Sequence, residues 1–179
     1  AASDVYKRQA WKPPANADQD FGYETILRHV NDAKPTTLFV AYGRETAFYN
    51  SPEEFEAFKR GYVTLLEDLG KVATTLILVS PPLLEDAGRP LPDPGEHNKR
   101  IQRTATFIKG LAEKGGHRLS NLTDHLVPAG ARKNLTFNGQ QFNQHRHERL
   151  SQVMLEQMGL AADGGYKAEF AADGTVRAS

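Results

Sequence analysis

The stretch that most constrains the fold is an apolar run that ends at a glycine and is followed by a capped helix. Leu38–Tyr42 is apolar throughout and stops at Gly43, and a short polar segment then leads to Ser51. In Ser51-Pro52-Glu53-Glu54, serine at the N-cap, proline at the first helical position and glutamate at the third form a capping box. Strand, tight turn and helix in this order place functional groups at the carboxyl edge of a parallel sheet.

The alternation of strand and helix continues along the chain. Helical spacing of apolar residues predicts helices over Tyr23–Lys34, from Pro52 to Gly70, from Asp93-Pro94 to Gly115 and over residues 143–158. Apolar runs predict strands over residues 37–42, Thr75–Val79 and His117–Leu122, and a small β-hairpin with an Asp-Gly turn over Tyr166–Phe170 and Thr175–Ala178. This pattern predicts an α/β fold whose three main strands are parallel neighbours.

Composition narrows the range of partners and site chemistries. The 22 basic and 22 acidic side chains of the 179 residues cancel, which gives no electrostatic reason to expect nucleic acid or an anionic membrane as partner. The absence of cysteine excludes disulfides, thiolate metal sites and a cysteine nucleophile. No apolar run approaches the ~18 residues of a membrane span. Lys99-Arg100 and Arg103 form a small basic cluster, which we interpret as a solvated helix face.

The chain divides into three segments by pattern. Residues 1–20 have no apolar period and predict a disordered or non-native leader. Within them, Ser3–Gln9 resembles a translated sequencing adapter, so we expect the natural protein to begin further upstream. Residues 21–160 hold the α/β pattern, and residues 161–179 form the hairpin extension. No signal peptide is visible, and the compartment stays unknown.

Several segments together resemble the later part of an SGNH/GDSL hydrolase. The turn after Leu38–Tyr42 resembles the family's third sequence block, Gly-x-Asn-Asp or Gly-x-Asn-Glu. The helix that follows and the strand end at Ser80-Pro81-Pro82 also resemble the family, over roughly Phe21 to Leu160. Pro92-Asp93-Pro94 with His97-Asn98, and the stretch Leu135–Leu150, resemble one subgroup of it. The resemblance implies a three-layer, flavodoxin-like parallel sheet that is incomplete at its N-terminal side. It also implies hydrolysis of ester bonds, such as those of acylated carbohydrates, and is compatible with an extracytoplasmic location.

The residues at the family's functional positions are altered. The family uses a serine in its first block, a glycine N–H in its second, an asparagine in its third, and an aspartate and histidine in its fifth; the first two blocks have no counterpart here. Gly43 matches the third-block glycine, but Glu45 takes the asparagine's place, and a carboxylate donates no hydrogen bond to an oxyanion. In the fifth block Asn138 is kept, whereas Phe137 replaces the aspartate and Gln141 the histidine. Gly43, Glu45, Asn138 and Gln141 are the expected remnant pocket, with no residue assigned as catalytic.

Two rescues of the missing groups are unfavourable. A one-residue slip would set Arg44 at the asparagine position, but the spacing to Phe48 argues against it. His145 lies one helical turn beyond Gln141, which would displace its ring by about 5–6 Å. His145 and His147 are two positions apart on a helix and do not face each other, so we expect no metal site and no cofactor.

Other motifs have simpler interpretations. Ser80 lacks a Gly-x-Ser-x-Gly elbow and is interpreted as a strand end. His97-Asn98 could line a pocket, although an exposed helix start is the favoured interpretation. Asn121-Leu122-Thr123 and Asn134-Leu135-Thr136 are glycosylation-type triplets, which matter only in a secreted protein of a glycosylating host.

Three functional hypotheses follow. The first is an SGNH/GDSL-like ester hydrolase domain that is inactive because the serine block is absent and the asparagine, aspartate and histidine are replaced. The second is a non-catalytic module that binds a small acylated or carbohydrate ligand in the remnant pocket. The third is a fragment without independent function. The free flank of the Leu38–Tyr42 strand is also expected to favour self-association.

Overall fold

The computed structural model describes residues 21–86, 88–126, 136–159, 168–170 and 176–178. In chain order the elements are α1 (Phe21–Ala33), β1 (Thr37–Val40), a 3₁₀ helix (Arg44–Phe48), α2 (Pro52–Gly70), β2 (Thr75–Val79), α3 (Gly95–Gly115), β3 (Arg118–Ser120), α4 (Leu122–His125), α5 (Gln144–Gln157), β4 (Ala168–Phe170) and β5 (Val176–Ala178). The predicted leader and the Asp-Gly turn of the hairpin lie outside the described residues.

The three main strands form a parallel sheet in the order β1-β2-β3, as predicted. Val40 lies opposite Leu78, and Leu78 lies opposite Leu119. Both edge strands are shorter than predicted. β1 ends at Val40, the last β1 residue with a partner in β2, and β3 ends at Ser120, opposite Val79. The hairpin strands β4 and β5 pair antiparallel, in agreement with the prediction.

Helices cover both faces of the sheet, so the α/β fold has three layers. One face is the main core, where the β-strand residues Val40, Leu76 and Leu78 pack with side chains of α2 and α3, among them Tyr62 and Ile108. On the opposite face Val79 packs with Leu122, Leu126 and Val153 of the C-terminal helices. Because strand side chains alternate between faces, the continuous apolar run of β2 is buried on both sides.

The helix starts show which capping signals were interpreted correctly. Ser51 and Glu54 form the predicted reciprocal capping box at α2. At α3 the predicted start is early by one residue: the helix begins at Gly95 with Pro94 at the N-cap, and Asp93 Oδ1 accepts the Gly95 N–H at 2.7 Å in a local turn. α4 was not predicted at all. Asn121, interpreted only as a glycosylation-type residue, is its N-cap and accepts the Asp124 N–H.

One flank of the sheet is open within the described part of the chain. There β1 pairs with β2 alone. Phe39 in β1 is 43% exposed, and Tyr42, two residues after the end of β1, is 41% exposed. Phe39 lies opposite Ile77 and so points to the face that α5 covers elsewhere. None of the described helices combines the length and the apolar character that crossing a membrane requires.

Candidate functional site

The turn after β1 is built around Gly43. Its φ of +114° lies in the left-handed region, and a Cβ placed there would come within 2.8 Å of Thr104 Cγ2. Thr46 closes the turn, because its hydroxyl donates to the Gly43 carbonyl at 2.6 Å and lies 2.7 Å from Thr104 Oγ1. The glycine is therefore required by conformation and by its close contact with α3.

Glu45 folds back onto the same turn. Its Oε2 accepts the Gly43 N–H at 3.2 Å, so this carboxylate occupies a backbone donor at the carboxyl edge of the sheet. Burial first, and the negative charge of Glu45 second, raise the pKa of Tyr42, and the pKa of Tyr49 rises to about 12 for the same two reasons, with a smaller effect of Glu54. The third-block position is thus an electronegative acceptor, where an oxyanion would need a donor.

The fifth-block segment is a tight loop closed by Thr136 and Phe142, which pair as an antiparallel bridge. Asn138 holds the loop, since its Oδ1 accepts the N–H groups of Gln140 at 3.2 Å and Gln141 at 2.8 Å. The side chain of Gln141 is exposed, and Phe137 is 76% exposed. Phe137 and Gln141, interpreted from the sequence as replacing an aspartate and a histidine, are therefore on the surface of the loop.

One backbone and one side-chain hydrogen bond attach this loop to the segment that follows β2. Glu85 N–H donates to the Gly139 carbonyl at 3.0 Å, and Thr136 Oγ1 donates to Glu85 Oε2. Gly139 has a φ of +76°, and a Cβ there would come within 2.8 Å of the Glu85 carbonyl oxygen. The loop thus lies against the carboxyl end of the central strand.

A side chain from the third block joins the two segments directly. Arg44 Nη2 donates to the Gln140 carbonyl at 2.7 Å across 96 positions of sequence, and its guanidinium lies 5.7 Å from the Phe142 ring centroid. The third-block turn and the fifth-block loop therefore meet at the carboxyl edge of the sheet.

Behind the loop lies a buried arginine that sequence reasoning missed. Arg146 is 1% exposed and donates from Nη2 to the Leu83 carbonyl at 2.8 Å. Its Cζ lies over the Phe142 ring, 4.4 Å from the ring centroid. Burial lowers its pKa to about 10; the nearby Glu85 carboxylate opposes this shift, and Arg44 adds to it. Arg146 thereby attaches the start of α5 to the segment after β2. Nothing in its spacing distinguishes it from the surface charges of that helix.

A cleft of about 90 Å³ opens between these segments, and we call it the His97 cleft. Its walls include Phe48, Leu84, Glu85, His97, Asn138 and Gln140. The rings of Phe48 and His97 are tilted against each other with centroids 5.1 Å apart. His97 thus lines a cleft and is half-buried, contrary to the exposed helix start favoured from sequence. Asn98 has a structural role, because its amide bonds both the N–H and the carbonyl of Leu84.

The predicted pocket residues fall in different places. Asn138 lines the His97 cleft. Gly43 is buried against α3, Glu45 is bound to its own turn, and Gln141 is exposed on the loop. The structure therefore brings the two blocks together at one edge, and only the asparagine of the four appears among the cleft-lining residues.

The remaining candidates have structural surroundings. Ser80 is 1% exposed, and its hydroxyl contacts Asn121 and Thr123. His147 is exposed, with its ring 5.5 Å from that of Phe142. His145 lies in the first turn of α5. Among the described residues, no three His, Asp or Glu side chains lie close enough to hold a metal ion.

Comparison with known proteins supports the fold. No protein-family model matches the sequence, and no curated protein sequence matches it. A catalytic mutant of an acetylxylan esterase from Geobacillus stearothermophilus is similar in structure, with a TM-score of 0.61 and 14% identity over 88% of this chain and 80% of that one. A lipase/acylhydrolase from Enterococcus faecalis gives a TM-score of 0.59 at 15% identity, over 79% of this chain and 70% of that one.

A third similar structure is an α/β hydrolase from the metagenome of Lake Arreo, with a TM-score of 0.58 at 15% identity over 74% of this chain and 63% of that one. At these identities the likeness establishes a shared fold, that of SGNH-type esterases and acylhydrolases. It transfers neither residues nor activity.

Proposed function

We propose that this chain is an SGNH/GDSL-like ester hydrolase domain that binds an acylated carbohydrate in the His97 cleft and does not hydrolyse it by the serine mechanism. The observation that carries the proposal is the make-up of the edge where the third-block turn and the fifth-block loop meet. The described residues lining the cleft include a histidine, a carboxylate and two amides, but no serine.

The chemistry of the replaced positions supports the absence of turnover. Serine hydrolysis needs a nucleophile, a base within hydrogen-bond reach and donors aimed at the oxyanion. Glu45 supplies a negative acceptor at the donor position. Gln141 has no titratable group near pH 7 and is exposed, so it cannot take the serine proton. Each loss alone would reduce kcat by orders of magnitude.

The size and lining of the His97 cleft support binding of a small acyl group. A cleft of about 90 Å³ is several times the ~10–15 Å³ that one water molecule requires, so it has room for an acetyl group. Phe48 and Leu84 offer apolar contacts to the methyl group. Asn138 and Gln140 also line the cleft, and their side-chain amides are suited to sugar hydroxyls. The acetylxylan esterase of similar fold makes an acetylated xylan the first ligand to test.

The test measures binding and turnover separately. Acetylated and deacetylated xylo-oligosaccharides are titrated into the chain by calorimetry, and release of acetate is followed in the same samples. We expect the acetylated ligand to bind more tightly and to remain intact. His97→Ala should weaken binding roughly two- to tenfold, since an aromatic contact is worth ~0.5–1.5 kcal/mol. The matched control is His29→Ala, an exposed histidine on α1.

Two results would contradict the proposal. Steady release of acetate would show that a functional nucleophile exists in this chain. Equal affinity of the His97→Ala and His29→Ala variants would show that the ligand binds elsewhere. A third variant tests the block assignment: Glu45→Asn, Phe137→Asp and Gln141→His combined should still give no turnover, because the described residues that line the cleft include no serine.

A further inference from the structure

A second cleft lies beside the end of the 3₁₀ helix, and it has a different character. Its volume is about 210 Å³, and it is lined by residues that include Tyr49, Asn50, Ser51, Phe55, Arg100 and Arg103. We call it the arginine cleft. We propose that it binds a divalent tetrahedral oxyanion, namely a phosphate group, independently of the function proposed for the His97 cleft.

The two arginines are held in place before any ligand arrives. They lie one turn apart on α3, so their side chains share one face of the helix. Arg100 Nη1 donates to the Ala47 carbonyl at 3.0 Å, and the Arg103 guanidinium lies 4.0 Å from the centroid of the Phe55 ring. Holding the guanidinium groups in this way lowers the entropy that a ligand must remove on binding.

Neither guanidinium is neutralised within the described part of the chain. No carboxylate there lies within 4.0 Å of Arg100 or Arg103, and no acidic residue is among those lining the cleft. Glu96 interacts electrostatically with Arg100, but its Oε1 forms a salt bridge with Lys99 Nζ at 2.6 Å. The basic cluster interpreted from sequence as a solvated face thus divides into an exposed Lys99 and two arginines that line a cleft.

The start of α2 is not what would bind the anion. The backbone N–H groups of Asn50 and Ser51 already donate to Glu54 Oε2, at 2.6 and 3.1 Å. Side chains therefore carry the site. Tyr49 also lines the cleft, and its phenol is protonated near neutrality, as an ordinary tyrosine is.

Charge and shape favour phosphate over a carboxylate. Two guanidinium groups match the two negative charges of a phosphate monoester, and their planar forks pair well with its oxygens. A volume of about 210 Å³ far exceeds the ~10–15 Å³ that one water molecule requires, so the cleft has room for a phosphate group.

The experiment is titration of the chain with inorganic phosphate by calorimetry at constant ionic strength. Arg100→Gln and Arg103→Gln are compared with Lys99→Gln, which removes the same charge from the same helix outside the cleft. We expect saturable binding to the unmodified chain and to Lys99→Gln. Each arginine variant should bind at least about tenfold more weakly, because hydrogen bonds to charged groups are the strong ones. Arg100→Lys should give an intermediate loss, since it keeps the charge without the fork.

Three results would overturn the proposal: no saturable phosphate binding, equal affinity of Arg103→Gln and Lys99→Gln, or acetate binding as tightly as phosphate. Arg100→Gln also removes the hydrogen bond to Ala47 and so can lower the stability of the fold, whereas Arg103 is exposed and its variant tests binding without that loss. Thermal unfolding followed by circular dichroism measures the stability of each variant. Acetylated xylo-oligosaccharide added at saturation should leave phosphate affinity unchanged, so the two proposals can fail separately.

Discussion

Two buried serines at the ends of neighbouring strands should respond in opposite ways to the same mutation. Ser80 follows β2 and Ser120 ends β3, and each is 1% exposed. The Ser80 hydroxyl accepts the Thr123 N–H at 3.0 Å and donates to Asn121 Oδ1 at 3.2 Å. The Ser120 hydroxyl has no hydrogen-bond partner in the described part of the chain.

The magnitudes follow from which group is left unsatisfied. Ser80→Ala leaves the buried N–H of Thr123 without its acceptor, which costs about 1–3 kcal/mol. Thr123 Oγ1 keeps its bond to the Pro81 carbonyl at 2.7 Å, so we count one lost partner and not two. Ser120→Ala removes a buried hydroxyl that bonds to nothing, and the free energy of unfolding should stay equal or rise by about 1 kcal/mol.

Urea denaturation followed by far-ultraviolet circular dichroism measures both changes in the free energy of unfolding, and thermal melts of the same variants measure the melting temperatures. In a chain of this size the Ser80 variant should melt lower by about 2–4 °C for each kcal/mol lost. Ser151→Ala, on an exposed face of α5, is the control and should change stability by less than about 0.5 kcal/mol. If Ser80→Ala were as stable as Ser120→Ala, the reasoning from hydrogen-bond partners would be wrong.

Three further predictions concern the turn, the core and the open flank. Gly43→Ala should lower the free energy of unfolding by at least about 2 kcal/mol, because the position has a positive φ and a Cβ there would contact Thr104 too closely. Gly61→Ala lies inside α2 with open space around it and should raise the free energy of unfolding by about 0.5–1 kcal/mol. Equal melting temperatures of the two variants would refute this prediction. Burial, with a smaller effect of Glu45, raises the pKa of Tyr62 above the ordinary 10.0, so the contribution of Tyr62 to the free energy of unfolding is complete below pH 10 and is lost as the pH rises further. Tyr62→Phe should make this decline with pH less steep in urea denaturation at a series of pH values, and an unchanged slope would count against the prediction. Phe39→Lys should reduce concentration-dependent association in sedimentation experiments, and undiminished association would show that β1 is not the interface.

Strong local patterns predicted most of the fold from sequence. The apolar run of β2 and the capping box of α2 each depend on neighbours within a few residues, and the structure confirms both. The missed elements depended on weaker or competing local signals. Asn121 caps α4 in a stretch that resembled the continuation of a strand. At α3, Asp93 bonds the Gly95 N–H in a local turn, and Pro94 takes the N-cap position that the sequence pattern gave to Asp93.

The candidate site was less predictable because long-range contacts build it. Motif spacing placed the third and fifth blocks at one edge, and the bond from Arg44 to Gln140 joins them there. It did not indicate that Glu45 would bond back to Gly43 or that His97 would line a cleft. Arg146 shows the limit most clearly, since its burial depends on packing against Phe142 and the Leu83 carbonyl.

Labelling with a fluorophosphonate probe tests the central claim most directly, because the probe reacts with an activated serine whatever the substrate. The 179-residue chain is incubated with the probe and analysed by intact-mass spectrometry, with an active serine esterase as positive control. We predict no stoichiometric adduct, because the described residues that line the His97 cleft include no serine and because Ser80 is buried with its hydroxyl hydrogen-bonded. Stoichiometric modification of any serine in this chain would contradict the proposed absence of an activated serine and would identify the nucleophile.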